Sequence, residues 1–331
     1  MQMDLKTVNI EPKRRSYAHV AARIGAEKLA SRYQEGTFDM QVEGPQHYRP
    51  LWDPAHDYFD PDRTRIRMQD WYAFKDPRQY YYGSYVIARS RQQETAESAF
   101  AFVESRSLAD AMPTELRETA LKLLLPLRHV AWGSSMNNET TAAYGYGAAI
   151  TQGALYYAMD QLGIAQFLTR IGLLLDQPEA LETAREAWLH DEAWQPLRRL
   201  VEDLFVEKDW FEVLVAQDLV LDGLLYPLIY GAIVDNVLAM QGGSAVAMVC
   251  QFQSEWHAEA SKWIDAQVKA AIKDTGANGD LIAGWVRKWR ARAVSALLPV
   301  AAIALGDGAE EQMDEVLADF DKRLAKLGVS A

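Results

Sequence analysis

The longest apolar run of the chain lies at residues 211–234 and reads FEVLVAQDLVLDGLLYPLIYGAIV. It is long enough for a membrane span, but Glu212, Asp218 and Asp222 interrupt it at helical spacings. Because charged side chains at membrane depth are costly, we interpret the run as a buried helix of a large helical bundle. A chain of 331 residues is long enough to enclose such a helix in a substantial core.

Helical periodicity continues through most of the chain after residue 68. In residues 92–106 and 113–136, apolar residues fall at i, i+3, i+4 and i+7, which is typical of amphipathic helices. The other predicted helical stretches are 138–175, 179–194, 197–240, 244–273, 281–305 and 310–327, with a turn cluster at 274–280. The best strand candidate is the short stretch 80–87. The sequence therefore predicts an all-α body of about eight to ten helices.

Residues 1–60 differ from the rest because prolines interrupt them and their apolar residues keep no sustained period. The aromatic side chains of this segment favour burial, and they are Tyr17, Phe38, Tyr48, Trp52, Tyr58 and Phe59. We interpret the segment as an extended arm that lies on a partner chain or, alternatively, on its own body, with a short helix near 17–33. The predicted domains are the arm, 1–60, and a helical domain, 61–331.

Charge and cysteine content limit the function classes. The net charge of −12 and the isoelectric point near 5.0 argue against a nucleic-acid-binding surface. Cys250 is the single cysteine, so no internal disulfide can form. The first residues contain no apolar core of a secretory signal. These features predict a cytoplasmic protein without nucleic-acid or membrane partners.

The stretch QFQSEWHAEA at 251–260 is the candidate metal cluster, because it contains Glu255, His257 and Glu259. Each helical residue turns about 100°, so the two glutamates share one face while His257 points about 200° away from Glu255. A carboxylate-bridged di-metal bundle needs Glu-x-x-His pairs, and no Glu of this chain precedes a His by three residues. The sequence therefore predicts no complete di-iron site of this kind.

Four motifs carry a resemblance to a known family. They are RPLWDP at 49–54, DWYAFKDPRQYYYG at 70–83, ARSRQQE at 88–94 and PLRHVAWGSSMNN at 126–138. In these segments the chain closely resembles the β subunit of bacterial multicomponent monooxygenases, above all that of the phenol hydroxylase oxygenase component. The resemblance covers essentially the whole chain.

The resemblance implies a ferritin-like, all-helical fold with extra helices. It also implies an α2β2γ2 oxygenase in which β carries no cofactor and the α subunit binds the di-iron centre. A reductase with FAD and a [2Fe–2S] cluster would supply electrons from NADH, and a small regulatory protein would complete the system. The implied function of this chain is a non-catalytic structural subunit of a complex that hydroxylates phenol-type aromatics with O2.

Alignment with the iron-binding subunit of that family implies that the ligand positions of this chain have degenerated. The first Glu-x-x-His falls on a Gln and an Ile, and its partner Glu falls near Ala131. In the second half an Asp stands near the lone Glu and one Glu is kept, but an Ala replaces the His. In chain order, the degenerate positions are Gln161, Ile164, Asp218, Glu255 and Ala258.

Aromatic and arginine side chains near the end of the arm are the predicted subunit interface, since these residue types dominate interface energetics. They are Arg49, Trp52, Trp71, Arg78, Tyr80, Tyr81 and Tyr82. Two alternative functions remain open. One is the β subunit of a related toluene, alkene or methane monooxygenase. The other is a self-sufficient carboxylate metal oxidase that uses Asp218, Glu255 and Glu259.

Overall fold

The fold is all-helical in a computed structural model that describes residues 16–41 and 49–330. Within these ranges there is no β-strand, and the strand candidate at 80–87 was wrong, because α3 begins at Tyr82. The hydroxyl of Ser84 caps this helix by accepting the Tyr81 backbone N–H at 3.0 Å. The predicted all-α, ferritin-like architecture is confirmed.

From α3 onward the helices follow one another with short connections, whereas α2 and α3 are separated by residues 38–81. They are α1 (Ala18–Ile24), α2 (Arg32–Thr37), α3 (Tyr82–Ser105), α4 (Thr114–Leu124), α5 (Leu127–Tyr144), α6 (Ala148–Leu175), α7 (Glu179–His190), α8 (Gln195–Leu204), α9 (Trp210–Leu214), α10 (Asp222–Tyr226), α11 (Ser244–Asp274), α12 (Gly276–Leu305) and α13 (Ala309–Leu327). Wider π-type turns at Val215–Leu221 and Pro227–Gly243 extend α9 and α10 into one long helical stretch that precedes α11. In the described ranges, three short 3-10 turns lie at Pro61–Arg63, Trp71–Ala73 and Gly306–Gly308.

Helix boundaries differ from the predictions where side chains cap a helix or a proline interrupts one. The predicted turn at 274–280 shrinks to Thr275, whose side chain accepts the Asn278 backbone N–H and so lets α12 begin at Gly276. The predicted helix 113–136 divides at Pro126, which lies between α4 and α5. Gly242 has a φ of 105°, a conformation that favours glycine, and so ends the central stretch where predicted.

The long helical stretch forms the centre of the core, as the sequence predicts. Nearly every residue from Trp210 to Val234 is buried among α5, α6, α11 and α12. Two stretches, Trp210–Asp274 and Gly276–Leu327, contain windows apolar enough to cross a membrane by length and composition. In the first of these, 94% of the apolar segment is buried inside the protein, which confirms the interpretation of 211–234 as a core helix. In the second, the buried share is 33%.

The described part of the arm packs on its own body. The Tyr33 hydroxyl accepts the Asp76 backbone N–H at 2.6 Å, and the Met40 carbonyl accepts the Ala148 N–H at 2.9 Å. The expected short helix near 17–33 appears as α1, and α2 follows it. Residues 1–15 and 42–48 lie outside the described ranges, so the boundary at residue 60 and the contact with a partner chain stay predictions.

Gly153 sets how closely α6 approaches α11. A Cβ at this position would overlap the indole ring of Trp263, which is fully buried and donates to the Ala149 carbonyl at 3.3 Å. Gly153→Ala should therefore destabilise the fold by about 1–3 kcal/mol through overpacking. On the same helix, no described side chain lies within 4 Å of the Cβ position of Gly163. Gly163→Ala should instead stabilise by up to about 1 kcal/mol through helix propensity. Urea unfolding of both variants measures whether the first is less stable and the second more stable than the wild type. Equal changes in the free energy of unfolding would contradict the prediction.

Candidate functional site

A polar cluster lies in the middle of the bundle, around the carboxylate of Asp222. This residue is 1% exposed and accepts hydrogen bonds from the Tyr157 hydroxyl at 2.7 Å and the Gln217 amide at 2.9 Å. The Ser134 hydroxyl donates to it at 3.4 Å. Beside Asp222 is a cavity of about 10 Å³, which is space for about one water molecule. The carboxyl group of Asp222 is therefore surrounded by neutral hydrogen-bond donors and lies beside space for about one water molecule.

Asp218 lies next to this group on the same helical stretch. The Asn138 amide donates to one of its carboxylate oxygens at 2.8 Å, while the other oxygen has no hydrogen-bond partner among the described residues. The Asn137 amide donates to the Gln217 carbonyl oxygen at 2.9 Å, and Gln217 in turn donates to Asp222. The two carboxyl groups thus belong to one buried network that α5 helps to close.

Burial controls the protonation of both carboxyl groups. It raises the pKa of Asp222 to about 7, although the hydrogen bonds from Tyr157, Gln217 and Ser134 oppose the rise. Burial also raises the pKa of Asp218 well above its usual range, and the neighbouring Asp222 charge adds to the effect. Both shifts favour the neutral forms of the two carboxyl groups, so the pair is a weak attractor for a metal cation.

Three of the five degenerate positions come together here. Gln161 and Ile164 of α6 line the same cavity as Asp222, with Ala131 of α5 beside them. The Gln161 amide donates to the Tyr226 hydroxyl at 3.2 Å and reaches Asp222 at 3.5 Å. Asp218 belongs to the adjoining network. Sequence reasoning missed the role of Asp222, although its spacing of four residues from Asp218 in the apolar run was the available signal.

Glu255 and Ala258 lie elsewhere, which corrects the part of the alignment that falls on α11. Both residues are exposed, and Glu255 accepts from the Gln251 amide at 3.1 Å. The buried face of α11 instead carries Gln253 and Trp256. One residue of register turns a helix by about 100°, so a small alignment error moves a side chain from the interior to the surface.

The side chains of Glu255, His257 and Glu259, the candidate metal cluster, point to different surroundings. Glu255 faces outward, whereas the His257 ring stacks on Tyr226 with centroids 5.1 Å apart. Burial and the nearby Arg323 charge lower the pKa of His257 to about 3, so the ring is neutral. Glu259 pairs with Arg89 at 3.0 Å. Within 16–41 and 49–330, no group of three or more His, Cys, Asp or Glu side chains is placed to hold a metal ion. The side chains around the central cavity do not fit a di-iron centre, which needs four carboxylates and two histidines.

A second buried network joins α3, α6 and α11. Arg89 forms two hydrogen bonds of 2.7 Å to the carboxylate of Asp160, which also accepts from the Tyr85 hydroxyl and the Trp256 indole at 2.8 Å. Glu259 binds the remaining side of the guanidinium. With charge-assisted bonds on both sides, Arg89 is held rigidly and fixes α3 against the bundle.

The predicted interface residues divide into exposed and internal groups. Arg49, Trp52 and Tyr82 are exposed, and the Trp52 indole donates to the Tyr144 hydroxyl at 2.9 Å. Arg78 is 6% exposed and pairs with Asp76 at 2.9 Å, so this prediction is corrected: the side chain stabilises its own chain. The partly buried remainder is Trp71, Tyr80 and Tyr81, with Trp71 against Trp210 and Tyr80 beneath the Arg78 guanidinium.

The sequence analysis also missed an apolar surface on three neighbouring helices. α6 exposes a stripe whose members recur at i, i+4 and i+7, and its partner α5 and the adjoining start of α3 add further apolar side chains. This α3–α5–α6 face consists of Tyr82, Val86, Trp132, Met136, Leu155, Met159 and Leu162, each at least 40% exposed. Exposed apolar side chains on neighbouring helices are typical of a protein–protein contact.

Comparison with known proteins connects this architecture to a family. The family model described as methane/phenol/alkene hydroxylase matches residues 52–275. The phenol 2-monooxygenase oxygenase component DmpL of Pseudomonas sp. (strain CF600) is 46% identical over the whole of this chain and 99% of that protein. The β subunit of the toluene-4-monooxygenase hydroxylase component of Ectopseudomonas mendocina is 25% identical over 68% of this chain and 69% of that protein.

A solved structure shows the same fold. The crystal structure of phenol hydroxylase from Pseudomonas sp. OX1 matches with a TM-score of 0.91 and 40% identity, over 99% of both chains. Similarity to that structure and to DmpL therefore extends over the predicted arm and the helical domain alike.

Proposed function

Since the chain belongs to the methane/phenol/alkene hydroxylase family, we propose that it is the non-catalytic structural β subunit of a phenol hydroxylase oxygenase. The complex hydroxylates phenol-type aromatics with O2 and electrons derived from NADH. The name of DmpL as an oxygenase component and the name of the toluene-4-monooxygenase relative as a β subunit support this assignment.

The interior of the bundle carries the proposal. Around the cavity where a ferritin-like oxygenase would hold iron, the side chains are Gln161, Ile164 and Ala131, with Asp222 as the carboxylate. Amide, alkyl and methyl groups cannot replace carboxylate and imidazole ligands of iron. The di-iron centre that activates O2 therefore belongs to a larger α subunit, in an α2β2γ2 assembly served by an FAD and [2Fe–2S] reductase and a regulatory protein.

The role of this chain is to hold the iron-bearing subunit in its assembled form. The α3–α5–α6 face supports this role because it presents large apolar side chains and is free of charged groups along the α6 stripe. Such a face matches the apolar centre of a stable interface. The exposed arm residues Arg49 and Trp52 are further interface candidates, and Trp52 contacts the end of α5 through Tyr144.

Co-expression with the larger oxygenase chain of the same organism tests the proposal. Met159→Glu/Leu162→Glu places two charges in the proposed interface and should abolish co-purification and reduce phenol hydroxylation by more than about tenfold. Met240→Glu is the matched control, since Met240 is 86% exposed outside this face and should tolerate a charge. Circular dichroism of the isolated variants confirms that each is folded.

Metal analysis of the isolated chain separates the subunit from a self-sufficient oxidase. We expect iron well below one ion per chain and no hydroxylation without the partner. About two irons per chain, as in the four-carboxylate, two-histidine bundle sites, together with activity of the isolated chain would overturn the proposal.

A further inference from the structure

A groove lies between α4, α7 and α12, close to the C-terminal end of α6. Its volume is about 300 Å³, which is sufficient for several side chains of a bound segment. Apolar side chains form its floor, with the fully buried Trp194 at the base. The other floor residues are Leu121, Ala184, Ala187 and Ile303.

The rim of this groove is acidic. Glu118, Asp176, Glu179 and Asp191 line it, and Lys122 is the basic residue among its lining side chains. Lys122 lies 4.0 Å from Glu118 and so offsets part of one charge. Asp176, Glu179 and Asp191 form no salt bridge with any basic side chain in the described ranges. An apolar floor between unneutralised carboxylates is complementary to an apolar group with cationic flanks.

The wall contributed by α12 is incompletely covered by the chain itself. Near the end of α12, Val300 and Ala301 are buried, whereas Ala304 and Leu305 are partly exposed. Ile303 is also partly exposed and lines the groove. Apolar side chains of this wall are therefore accessible to a partner.

We propose that this groove docks an amphipathic helix of a partner protein, with its apolar stripe on Leu121, Ala187 and Ile303 and Lys or Arg side chains beside the rim carboxylates. Helix-in-groove recognition uses apolar anchors at i, i+3, i+4 and i+7, and charge complementarity sets the orientation. The groove lies beyond Leu175, whereas the exposed stripe of the α3–α5–α6 face ends at Leu162. It is a second docking surface, and its existence does not depend on the proposed function.

Binding of a designed peptide to the full-length chain tests this assignment. The probe is a fluorescent helix of about 18 residues with leucines at i, i+3, i+4 and i+7 and lysines at the flanks. A second peptide keeps the leucines and replaces the lysines with glutamates. Fluorescence anisotropy at low and high salt measures both affinities.

Two variants alter the groove and one leaves it intact. Asp176→Lys/Glu179→Lys reverses two rim charges, and Thr183→Trp places a ring in the groove from an exposed position. Glu311→Lys/Asp314→Lys on α13 is the control, because it makes the same change in net charge and also alters the first turn of a helix. Circular dichroism and urea unfolding check the fold of each.

The lysine peptide should bind the wild-type chain and the α13 control alike, more weakly at high salt. Both groove variants should weaken it about tenfold or more, and the glutamate peptide should bind at least as weakly. Equal binding by groove variants and wild type, or by both peptides, overturns the proposal. Selective binding of dodecyltrimethylammonium without the peptide would identify a small-molecule site instead. A wild-type dimer that Thr183→Trp disrupts in sedimentation would identify a second copy as the occupant.

Discussion

Arg89→Met is expected to destabilise the protein by about 3–5 kcal/mol, the cost of leaving a buried charge without its partner. The Asp160 carboxylate is about 4% exposed and loses two hydrogen bonds of 2.7 Å when the guanidinium is removed. The Tyr85 hydroxyl and Trp256 indole still donate to it, but neither carries a charge. Urea unfolding at neutral pH measures the loss as a lower midpoint at an unchanged slope.

Two further variants separate the buried charge from the lost side chain. Arg89→Met/Asp160→Asn removes both charges while the Asn carbonyl can still accept from Tyr85, so it should recover a large part of the stability. Arg170→Met is the exposed counterpart between the same two helices, because Arg170 pairs with Glu97 at 2.7 Å in contact with solvent. It should cost no more than about 1 kcal/mol. Asp160→Asn alone completes the comparison. If the effect of Arg89→Met/Asp160→Asn equals the sum of the two single effects, Arg89 and Asp160 are not coupled.

Most of the fold could be predicted because helical periodicity is a local signal. The sequence pattern of α13 predicts one apolar stripe, which consists of Met313, Val316, Leu317, Phe320, Leu324 and Leu327. Leu317 is partly buried and the other five are buried. The motifs at 49–54 and 70–83 also identified the family correctly. Boundaries were less predictable, since the start of α12 depends on a single hydroxyl at Thr275.

The site was less predictable because it depends on which face of a helix meets its neighbours. The degenerate ligand positions Gln161, Ile164 and Asp218 lie in the interior, as a former ligand should. The corresponding positions on α11, Glu255 and Ala258, are exposed. No local pattern distinguishes a polar residue that faces the core from one that faces water. The burial of Arg78 has the same cause. Its ion-pair partner Asp76 is two positions away, but Glu259, which lies 3.6 Å from the guanidinium, is 181 positions away in the sequence.

The α3–α5–α6 face shows a related limit. Leu155, Met159 and Leu162 have the spacing of an apolar stripe, and a sequence stripe predicts burial in the chain's own core. In the fold, α6 buries its opposite side, which carries Tyr157, Gln161 and Ile164 among others. A helix that is apolar on both sides can satisfy one side internally and leave the other for a partner.

Asp222→Asn is expected to change the pH dependence of stability as well as its size. Burial raises the pKa of Asp222 from an ordinary value of 3.8 to about 7, so between these values the folded state binds more protons than the unfolded state. The stability contributed by the neutral carboxyl group is therefore fully present below about pH 4. It is lost progressively as the pH rises to about 7, by roughly 4 kcal/mol in total.

An Asn at this position resembles the protonated carboxyl group at every pH. Its carbonyl oxygen can accept from Gln217, and its amide can donate to the Tyr157 hydroxyl, which is able to turn and accept. The variant should thus be close to the wild type near pH 4–5 and more stable than the wild type near pH 8. Urea unfolding from pH 4 to 8 gives the difference curve, and Asp314→Asn on the exposed side of α13 provides the control. A flat difference curve would mean that the buried carboxyl group keeps its charge on folding. The bundle interior would then keep a charged carboxylate, as an iron site does, although amides and tyrosines surround it.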